Sequence, residues 1–385
     1  MARTEDFKRA QKLALAFGGA GLAVCALGAA FNPAQFFRSY LVAYLFWAGI
    51  ALGCFSVVML HHLVGGRWGV MIRRLLESGT RTFPLMALLL VPLLFGLPHL
   101  YLWARPEVVA HDELLQHKSP YLNVPFFLAR SAFYFAVWLI LSYFLNKWSA
   151  EQDRTPTASV KSRLQYLSGP GLVLYGLTAT FAAVDWVMSL EPHWFSTIYG
   201  AVFIVGQVLA TLAFVIVALT LLSGREPMKG VLRPSHFHDL GNLMLAFVML
   251  WAYVAFSQFL IIWSGNLPEE TPWYVRRLSG GWGWIAGILI GFHFILPFFL
   301  LLVREAKRRA GVLAILACAM LVLRLVDLFW VVAPAFHENR IQVHWMDLAA
   351  PVGVGGIWLA VFLSQLKRRP LLPAAEFPLE GGRPA

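Results

Sequence analysis

Long apolar stretches, separated by short polar ones, run through nearly the whole of this 385-residue chain. A stretch of about 18 apolar residues is long enough to cross the hydrocarbon core of a bilayer as a helix. The pattern predicts ten such helices, near residues 13–30, 40–63, 83–103, 124–148, 166–190, 195–222, 239–264, 281–303, 311–333 and 345–366. The predicted fold class is therefore an all-α integral membrane protein with about ten transmembrane helices.

The distribution of lysine and arginine predicts how these helices are oriented. If the N-terminus is cytoplasmic, the segments on that side carry 23 Lys and Arg residues and the segments on the other side carry 6. Cytoplasmic segments of membrane proteins are enriched in these residues, so we expect both termini to be cytoplasmic. Most of the Lys and Arg residues behind the net charge of +11 lie in these predicted cytoplasmic segments. The positive charge is therefore a sign of membrane orientation and does not indicate a nucleic-acid partner.

The second to ninth helices show a weak internal repeat. Val184-Asp185 matches Val326-Asp327 at an offset of 142 residues, and Pro192 matches Pro334 at the same offset. Because the offset covers four helices, the two halves are expected to be parallel. The predicted organisation is an N-terminal segment with the first helix (1–39), a four-helix bundle (40–190), a second four-helix bundle (195–333), a last helix (345–366) and a cytoplasmic tail (367–385). The first and last helices are expected to lie outside the bundles, and the proline-rich tail to be poorly ordered.

Four charged side chains lie well inside the predicted helices, away from their ends: Arg130, Asp185, Arg324 and Asp327. Such a side chain costs roughly 2.5–3.5 kcal/mol at the centre of a bilayer, so all four are predicted to face the interior. Arg324 and Asp327 are three residues apart on one helix and can pair directly. Arg130 and Asp185 lie at similar depths on different helices, which favours a cross-helix pair. Two interpretations remain open, namely inert ion pairs or a proton path on which Asp185 titrates.

Other polar residues are candidates for the same path. His293 lies near the middle of the eighth helix, where Pro297 removes the amide that would bond to the His293 carbonyl. Glu191 is expected at the outer surface, beyond Asp185. The remaining candidates are Tyr253, Gln258, His61, His62, Asp239 and Asp347.

The sequence has neither the cysteine motifs nor the histidine pairs that hold common redox cofactors. Cys25, Cys54 and Cys318 are far apart, and no CxxCH motif or cysteine cluster occurs. A bis-histidine haem needs two histidines at matching depth, whereas His293 is the only central one. We therefore expect no redox cofactor and no metal to be bound by this chain itself.

Three glycines of the eighth helix indicate close packing. Gly283, Gly287 and Gly291 recur every four residues. Glycine at this spacing lets two helix backbones approach each other. We therefore expect this stripe to contact a neighbouring helix.

Three stretches carry a resemblance to a known family: VDWVMSLEPHW (184–194), LARS (128–131) and FSQFLIIWSGNLPEE (256–270). Through them the chain resembles the NrfD/polysulfide-reductase membrane-subunit family. Within that family it is most similar to the F subunits of alternative complex III, a bacterial quinol:cytochrome c oxidoreductase. The resemblance covers essentially all ten predicted helices.

The resemblance implies an integral subunit of a respiratory chain in the bacterial inner (plasma) membrane. It implies a scaffold with a transmembrane proton path and no redox cofactor of its own. Menaquinol or ubiquinol would react elsewhere in the complex, and partner subunits would hold the iron–sulfur clusters and haem c. The implied partners are membrane lipid, an NrfD-like C subunit, an iron–sulfur subunit, haem c subunits and, in some complexes, a terminal cytochrome oxidase.

Two other functions remain open from the sequence. The chain is also compatible with a quinone-binding membrane anchor of a polysulfide- or formate-type reductase. An ion-coupled secondary transporter is the second alternative, because such transporters commonly contain internal repeats. A purely passive scaffold is the interpretation that follows if the buried charges are inert.

Overall fold

The structure is a computed structural model, and it describes residues 2–337 and 340–372 together with two short strands in the tail. The longer helices are α1 (Ala2–Phe31), α2 (Pro33–Val64), α3 (Arg67–Thr80), α4 (Phe83–Phe95), α5 (Val124–Arg154), α6 (Ala158–Trp186), α7 (Tyr199–Ser223), α8 (Pro234–Gly265), α9 (Thr271–Leu278), α10 (Trp282–Leu302), α11 (Ala310–Val332) and α12 (Met346–Leu366). Single helical turns lie at Leu97–Leu100, Leu102–Ala104, Pro106–Val109, Glu113–Lys118, Met188–Leu190, Arg304–Arg308 and Ala333–Ala335. The strands Leu379–Glu380 and Arg383–Pro384 pair in antiparallel fashion.

The described part of the chain is an all-α integral membrane architecture, as the apolar pattern predicts. Nine of its helices are long and apolar enough to cross a membrane. The pair formed by α3 and α4, bent by 42°, brings the number to as many as ten. Nine residues of the tail that was expected to be poorly ordered (373–378, 381–382 and 385) lie outside the described residues.

The predicted third span, 83–103, is not one continuous helix. The helix α4 contains Pro92 and ends at Phe95, and the chain continues through Gly96 into the separate turn Leu97–Leu100. Proline lacks the amide needed to continue the helical ladder, so prolines at 92 and 98 favour this interruption. At Gly96 the backbone lies so close to Phe37 that a Cβ atom would be 2.3 Å from its ring. The prediction of an unbroken helix here was wrong.

The centre of the molecule is the contact between α2 and α7. Both helices are almost entirely buried, α2 also packs against α3, α6 and α12, and α7 also packs against α8 and α11. Gly53 of α2 allows the close approach, since a Cβ atom there would lie 2.4 Å from the carbonyl oxygen of Gln207. The Thr211 hydroxyl donates to the Ile50 carbonyl across the same contact at 3.0 Å. The α2–α7 contact therefore joins the first and second halves of the chain.

Glycine also sets the packing of the first and last helices, but not at the predicted stripe. A Cβ atom at Gly21 of α1 would lie 2.8 Å from the backbone of Gly353 on α12, and the two helices share an extended contact. Around Gly287 and Gly291 of α10, by contrast, no atom of the described residues lies within 4 Å of a built Cβ. The expectation that the α10 glycines pack against a neighbouring helix of this chain was wrong for these two positions. Helical spacing alone does not reveal which face a glycine row presents.

The helix α10 widens into a π-helical turn over Leu289–Ile295. Pro297 has no amide to bond to the His293 carbonyl, and the Leu296 amide reaches back five residues to the carbonyl of Gly291. The predicted loss of a helical hydrogen bond at Pro297 thus takes the form of a local change of helix type. It leaves the His293 side chain completely buried.

The close approach at Gly53 predicts opposite effects for two glycine substitutions. We expect Gly53→Ala to destabilise the protein by about 1–3 kcal/mol, because the added methyl group overpacks the α2–α7 contact. Gly287→Ala is the matched control, and we expect it to be neutral or stabilising, because alanine favours a helix by roughly 1 kcal/mol over glycine. The measurement is the thermal unfolding midpoint in mild detergent. Equal midpoints for the two variants would contradict this account of the interface.

Candidate functional site

Asp185 lies fully buried near the C-terminal end of α6, opposite Arg130 of α5. Arg130 binds it with two parallel hydrogen bonds, from Nε to Oδ2 at 2.8 Å and from Nη2 to Oδ1 at 2.9 Å. The expected cross-helix pair is confirmed. Such a two-point contact between a guanidinium and a carboxylate fixes orientation as well as distance.

Two tyrosines complete the surroundings of this carboxylate. The Tyr121 hydroxyl donates to Oδ1 of Asp185 at 3.0 Å, and the Tyr134 hydroxyl donates to Oδ2 at 2.7 Å. The guanidinium of Arg130 also lies over the rings of Tyr121 and Phe126, at 3.8 and 4.4 Å from their centroids. Four donors therefore hold Asp185. Tyr121 was not among the residues predicted from the sequence. It lies in the loop before α5, where helical spacing does not indicate a contact with Asp185.

A row of buried polar side chains extends from Asp185 along one face of α6. It consists of Ser168, Tyr175, Thr178 and Asp185, none of which is more than 4% exposed. At 100° per residue these four positions fall within an arc of roughly 100°, and at 1.5 Å per residue they extend over about 25 Å. That length is most of the thickness of the hydrocarbon core of a bilayer.

Each member of the row is hydrogen-bonded to a neighbouring helix. Ser168 contacts His62 of α2 at 3.2 Å, and Tyr175 donates to Gln207 of α7 at 2.8 Å. Trp138 of α5 donates to Thr178 at 2.9 Å. His62 borders a cavity of about 440 Å³ at the end of α2. The row therefore runs from the Asp185 pair to a cavity on the predicted cytoplasmic side.

The second half of the chain pairs its buried charges differently. Arg324 donates to Asp327 within α11, so the predicted direct pair is confirmed. Gly206 of α7 makes room for it, because a Cβ atom there would lie 2.4 Å from Cζ of Arg324. Neither ring nitrogen of His293 has a hydrogen-bond partner among the described residues, and its ring packs edge-on against Trp251 at 4.3 Å.

Glu191 belongs to an ion-pair cluster on the predicted outer side. Arg277 donates to its Oε2 at 2.6 Å and Arg276 to its Oε1 at 3.0 Å. Arg277 is 1% exposed, donates to the Val331 carbonyl and lies over the Trp273 ring at 3.7 Å. Both arginines belong to the six positive charges of the predicted outer segments. Their partner lies more than 80 residues away, and no local spacing indicates the contact.

Another buried ion-pair cluster surrounds Glu77 of α3, and none of its contacts was predicted from the sequence. Arg73 and Arg74 donate to Glu77 at 3.0 and 2.6 Å, and Arg369 does so at 3.3 Å. Arg74 also pairs with Asp153 of α5. The segment 65–82, which lies between two predicted spans and carries four positive charges, is thus largely a packed helix. Its ion pairs connect α3, α5 and the start of the tail.

Two of the remaining candidates lie on α8 and point in different directions. Tyr253 is 67% exposed and faces away from the interior, whereas Gln258 is buried and contacts Ser196 and Tyr274 at 3.3 Å each. Residues five apart on a helix point about 140° apart, so both cannot face the same interior. The structure therefore does not bring Tyr253 together with the other candidates.

The other predicted residues lie near the helix ends. Asp239 is half-buried at the start of α8, 3.7 Å from Nδ1 of His238. Asp347, in the first turn of α12, accepts from Ser39 at 2.5 Å and from Gln35 at 3.2 Å. These contacts place Asp239 and Asp347 away from the Asp185 row.

The Asp185 pair predicts a strong effect of removing one partner. We expect Arg130→Met to destabilise the protein by about 3–5 kcal/mol, because it leaves a buried carboxylate without its counter-charge. Adding Asp185→Leu should restore much of the loss, since the double variant buries no charge. The measurement is the unfolding midpoint in detergent, with Lys147→Met near the C-terminal end of α5 as the control. A double variant as unstable as Arg130→Met would contradict this prediction.

No protein-family model matches the chain, and no curated protein matches it either. Within the described residues, no group of three or more His, Cys, Asp or Glu side chains has a metal-binding arrangement.

Proposed function

We propose that the chain is an integral membrane subunit of a quinol:cytochrome c oxidoreductase of the alternative complex III type, in the bacterial inner membrane. The resemblance of residues 128–131, 184–194 and 256–270 to the F subunits of that complex supports this assignment, and a membrane architecture of about ten helices agrees with it. In this proposal, iron–sulfur and haem c subunits carry the electrons from menaquinol or ubiquinol. The present chain contributes scaffold and proton transfer.

The observation that carries the proton-transfer role is the polar row on α6. Hydroxyl groups both donate and accept hydrogen bonds, so a proton can pass along them by exchange. The row contains the hydroxyls of Ser168, Tyr175 and Thr178, and Tyr134 connects to its outer end by donating to Asp185. The intervals of seven residues, about 10 Å along the helix, require water molecules between neighbouring groups.

Asp185 and Arg130 form the outer end of this path. All the donors around Asp185 are hydrogen-bonded to it, so a proton reaches the carboxylate only when one of the tyrosine hydroxyls or Arg130 moves away. A redox-driven conformational change in a partner subunit that contacts the loop carrying Tyr121 would move the Tyr121 hydroxyl away from Asp185. The pair would then act as a gate that is closed in the structure described here.

The second half also contains buried charged and histidine side chains, but its described residues form no row of hydroxyl groups like that on α6. Arg324, Asp327 and His293 lie close together around α7, α10 and α11, and the unpartnered His293 nitrogens have spare capacity to bind a proton or a water molecule. On α11, however, no row of hydrogen-bonded hydroxyl groups comparable with that on α6 occurs among the described residues. In this proposal the first half is therefore the principal path.

Membership of the complex is tested by purification. An affinity-tagged chain extracted in mild detergent should bring with it a multihaem cytochrome c and an iron–sulfur protein, visible as haem absorption and iron content. A chain that is isolated alone from its native membrane, and that exchanges a solute for protons in vesicles, would instead support the transporter alternative.

The proton path is tested by Tyr175→Phe, which removes one hydroxyl from the middle of the row and keeps the ring. In the complex reconstituted into vesicles, we expect quinol oxidation to continue while the number of protons translocated per quinol falls. Tyr253→Phe is the matched control, because the same hydroxyl is removed from an outward-facing position, and it should change neither quantity.

Asp185→Asn provides a second, independent test at the outer end. The amide keeps the side-chain volume but places a donor against the donors of Arg130 and the two tyrosines. We expect fewer protons per quinol in any complex that still assembles. Unchanged proton counts in both Asp185→Asn and Tyr175→Phe would remove the α6 row from the mechanism.

A further inference from the structure

The cavity beside His62 lies where the end of α2 meets the start of α3 and the cytoplasmic ends of α5 and α6. Its volume is about 440 Å³. The chain turns beneath it through Gly65 and Gly66, whose φ angles of 71° and 100° are in the range that favours glycine. The polar lining of the cavity includes His61, His62, Arg67, Arg73, Gln152 and Lys161.

The charge of this lining has one sign. Arg67, Arg73 and Lys161 contribute three positive charges, and no aspartate or glutamate is among the residues that line the cavity. Arg73 is already bonded to Glu77, Ser149 and Gln152. Arg67 and Lys161 are exposed at the rim, and neither forms an ion pair within the described residues. Their charges are available to an anion.

Unused hydrogen-bonding groups lie on the same wall. The helix α3 begins at Arg67, and its cap residue Gly66 has no side chain to bond to the first amides of the helix. Such free amides and the helix dipole favour a phosphate or carboxylate group. His61 and His62 also line the cavity, but the two ring nitrogens without a partner in the described part of the chain, Nδ1 of His61 and Nε2 of His62, are themselves buried.

The rim of the cavity is apolar on the side that continues into α2. Leu63 and Val64, the last residues of that membrane-spanning helix, are 39% and 70% exposed. Tyr166 of α6, one position beyond the lining residue Gln165, is 81% exposed, and aromatic residues of this kind are enriched at the membrane–water interface. A ligand here would thus meet a basic, hydrogen-bonding interior and a hydrocarbon-facing edge.

We propose that this cavity binds the phosphate group of an anionic phospholipid from the cytoplasmic leaflet. The phosphate lies between Arg67 and Lys161 and against the first amides of α3, and the acyl chains leave over Leu63 and Val64. Basic pockets at the cytoplasmic ends of membrane helices are suited to such headgroups. A free phosphate ion would use the same polar groups but not the apolar rim. This inference does not depend on the function proposed above.

The test measures lipid binding to the full-length chain by native mass spectrometry in mild detergent. Phosphatidylglycerol and phosphatidylcholine with the same acyl chains are compared. We expect the double variant Arg67→Gln/Lys161→Gln to bind phosphatidylglycerol at least tenfold more weakly than the unmodified chain. Lys229→Gln/Arg304→Gln removes two exposed cytoplasmic charges elsewhere and serves as the matched control, with binding expected to remain unchanged.

The charge-preserving variant Arg67→Lys/Lys161→Arg should retain the preference for phosphatidylglycerol, which separates loss of charge from loss of structure. Inorganic phosphate at millimolar concentration should displace the lipid only weakly. Equal binding of the two lipids, or equal loss in the matched control, would overturn the proposal. Binding of inorganic phosphate without a preference for phosphatidylglycerol would overturn the assignment to a lipid.

Discussion

A charged or polar side chain inside hydrocarbon has no water to bind, so it is stable only where another part of the chain supplies its partner. This constraint explains how the helices of the structure are connected. The Arg130–Asp185 pair joins α5 to α6, and the contacts of Arg277 with Glu191 and the Val331 carbonyl join α9 to the α6–α7 connection and to α11. On the predicted cytoplasmic side, Glu77 joins α3 to the start of the tail, and Arg74 joins α3 to α5. Apolar contacts between helices select one arrangement less strongly than these polar contacts do. Lipid tails are as apolar as leucine, so an apolar side chain is stable against lipid as well as against another helix.

The two halves satisfy the same constraint in different ways. Asp185 and Asp327 occupy matching places in the proposed repeat, but Asp185 takes its arginine from a neighbouring helix and Asp327 takes it from its own. At the repeat offset of 142 residues, Arg324 matches Ala182. The first half must therefore hold two helices together to neutralise its carboxylate, whereas the second half needs only space for a side chain, which Gly206 provides. An ion pair between helices changes when the helices move, and an ion pair within one helix does not. Within the proposed function, this difference favours the first half as the half that responds to a partner subunit.

Sequence reasoning predicted what depends on depth and on spacing along one helix. The apolar stretches gave the helices, equal depth gave the Arg130–Asp185 pair, and three-residue spacing gave the Arg324–Asp327 pair. It did not predict what depends on how a helix is rotated or on contacts between distant segments. Gly287 and Gly291 of α10 face open space, and Tyr253 points away from Gln258. Arg73 and Arg74 beside Glu77, and Arg277 beside Glu191, are buried rather than solvated. A positive charge near a helix end has the same appearance in the sequence whether it faces water or a carboxylate, so a count of positive charges predicts orientation but not packing.

In the proposed proton path, the α6 row has to combine a fixed ion pair with proton transfer. If the negative charge of Asp185 were removed, Arg130 would be left unpaired in a buried position, at a cost of several kcal/mol. In the proposed gate, a tyrosine hydroxyl can move away while Arg130 keeps its two hydrogen bonds to Asp185, so opening leaves no buried charge unpaired. The other members of the row are uncharged hydroxyl groups, those of Ser168, Tyr175 and Thr178. One hydrogen bond to a neighbouring helix is therefore enough to stabilise each of them in a buried position. The fixed charges are thus confined to one end of the row, next to the loop that carries Tyr121.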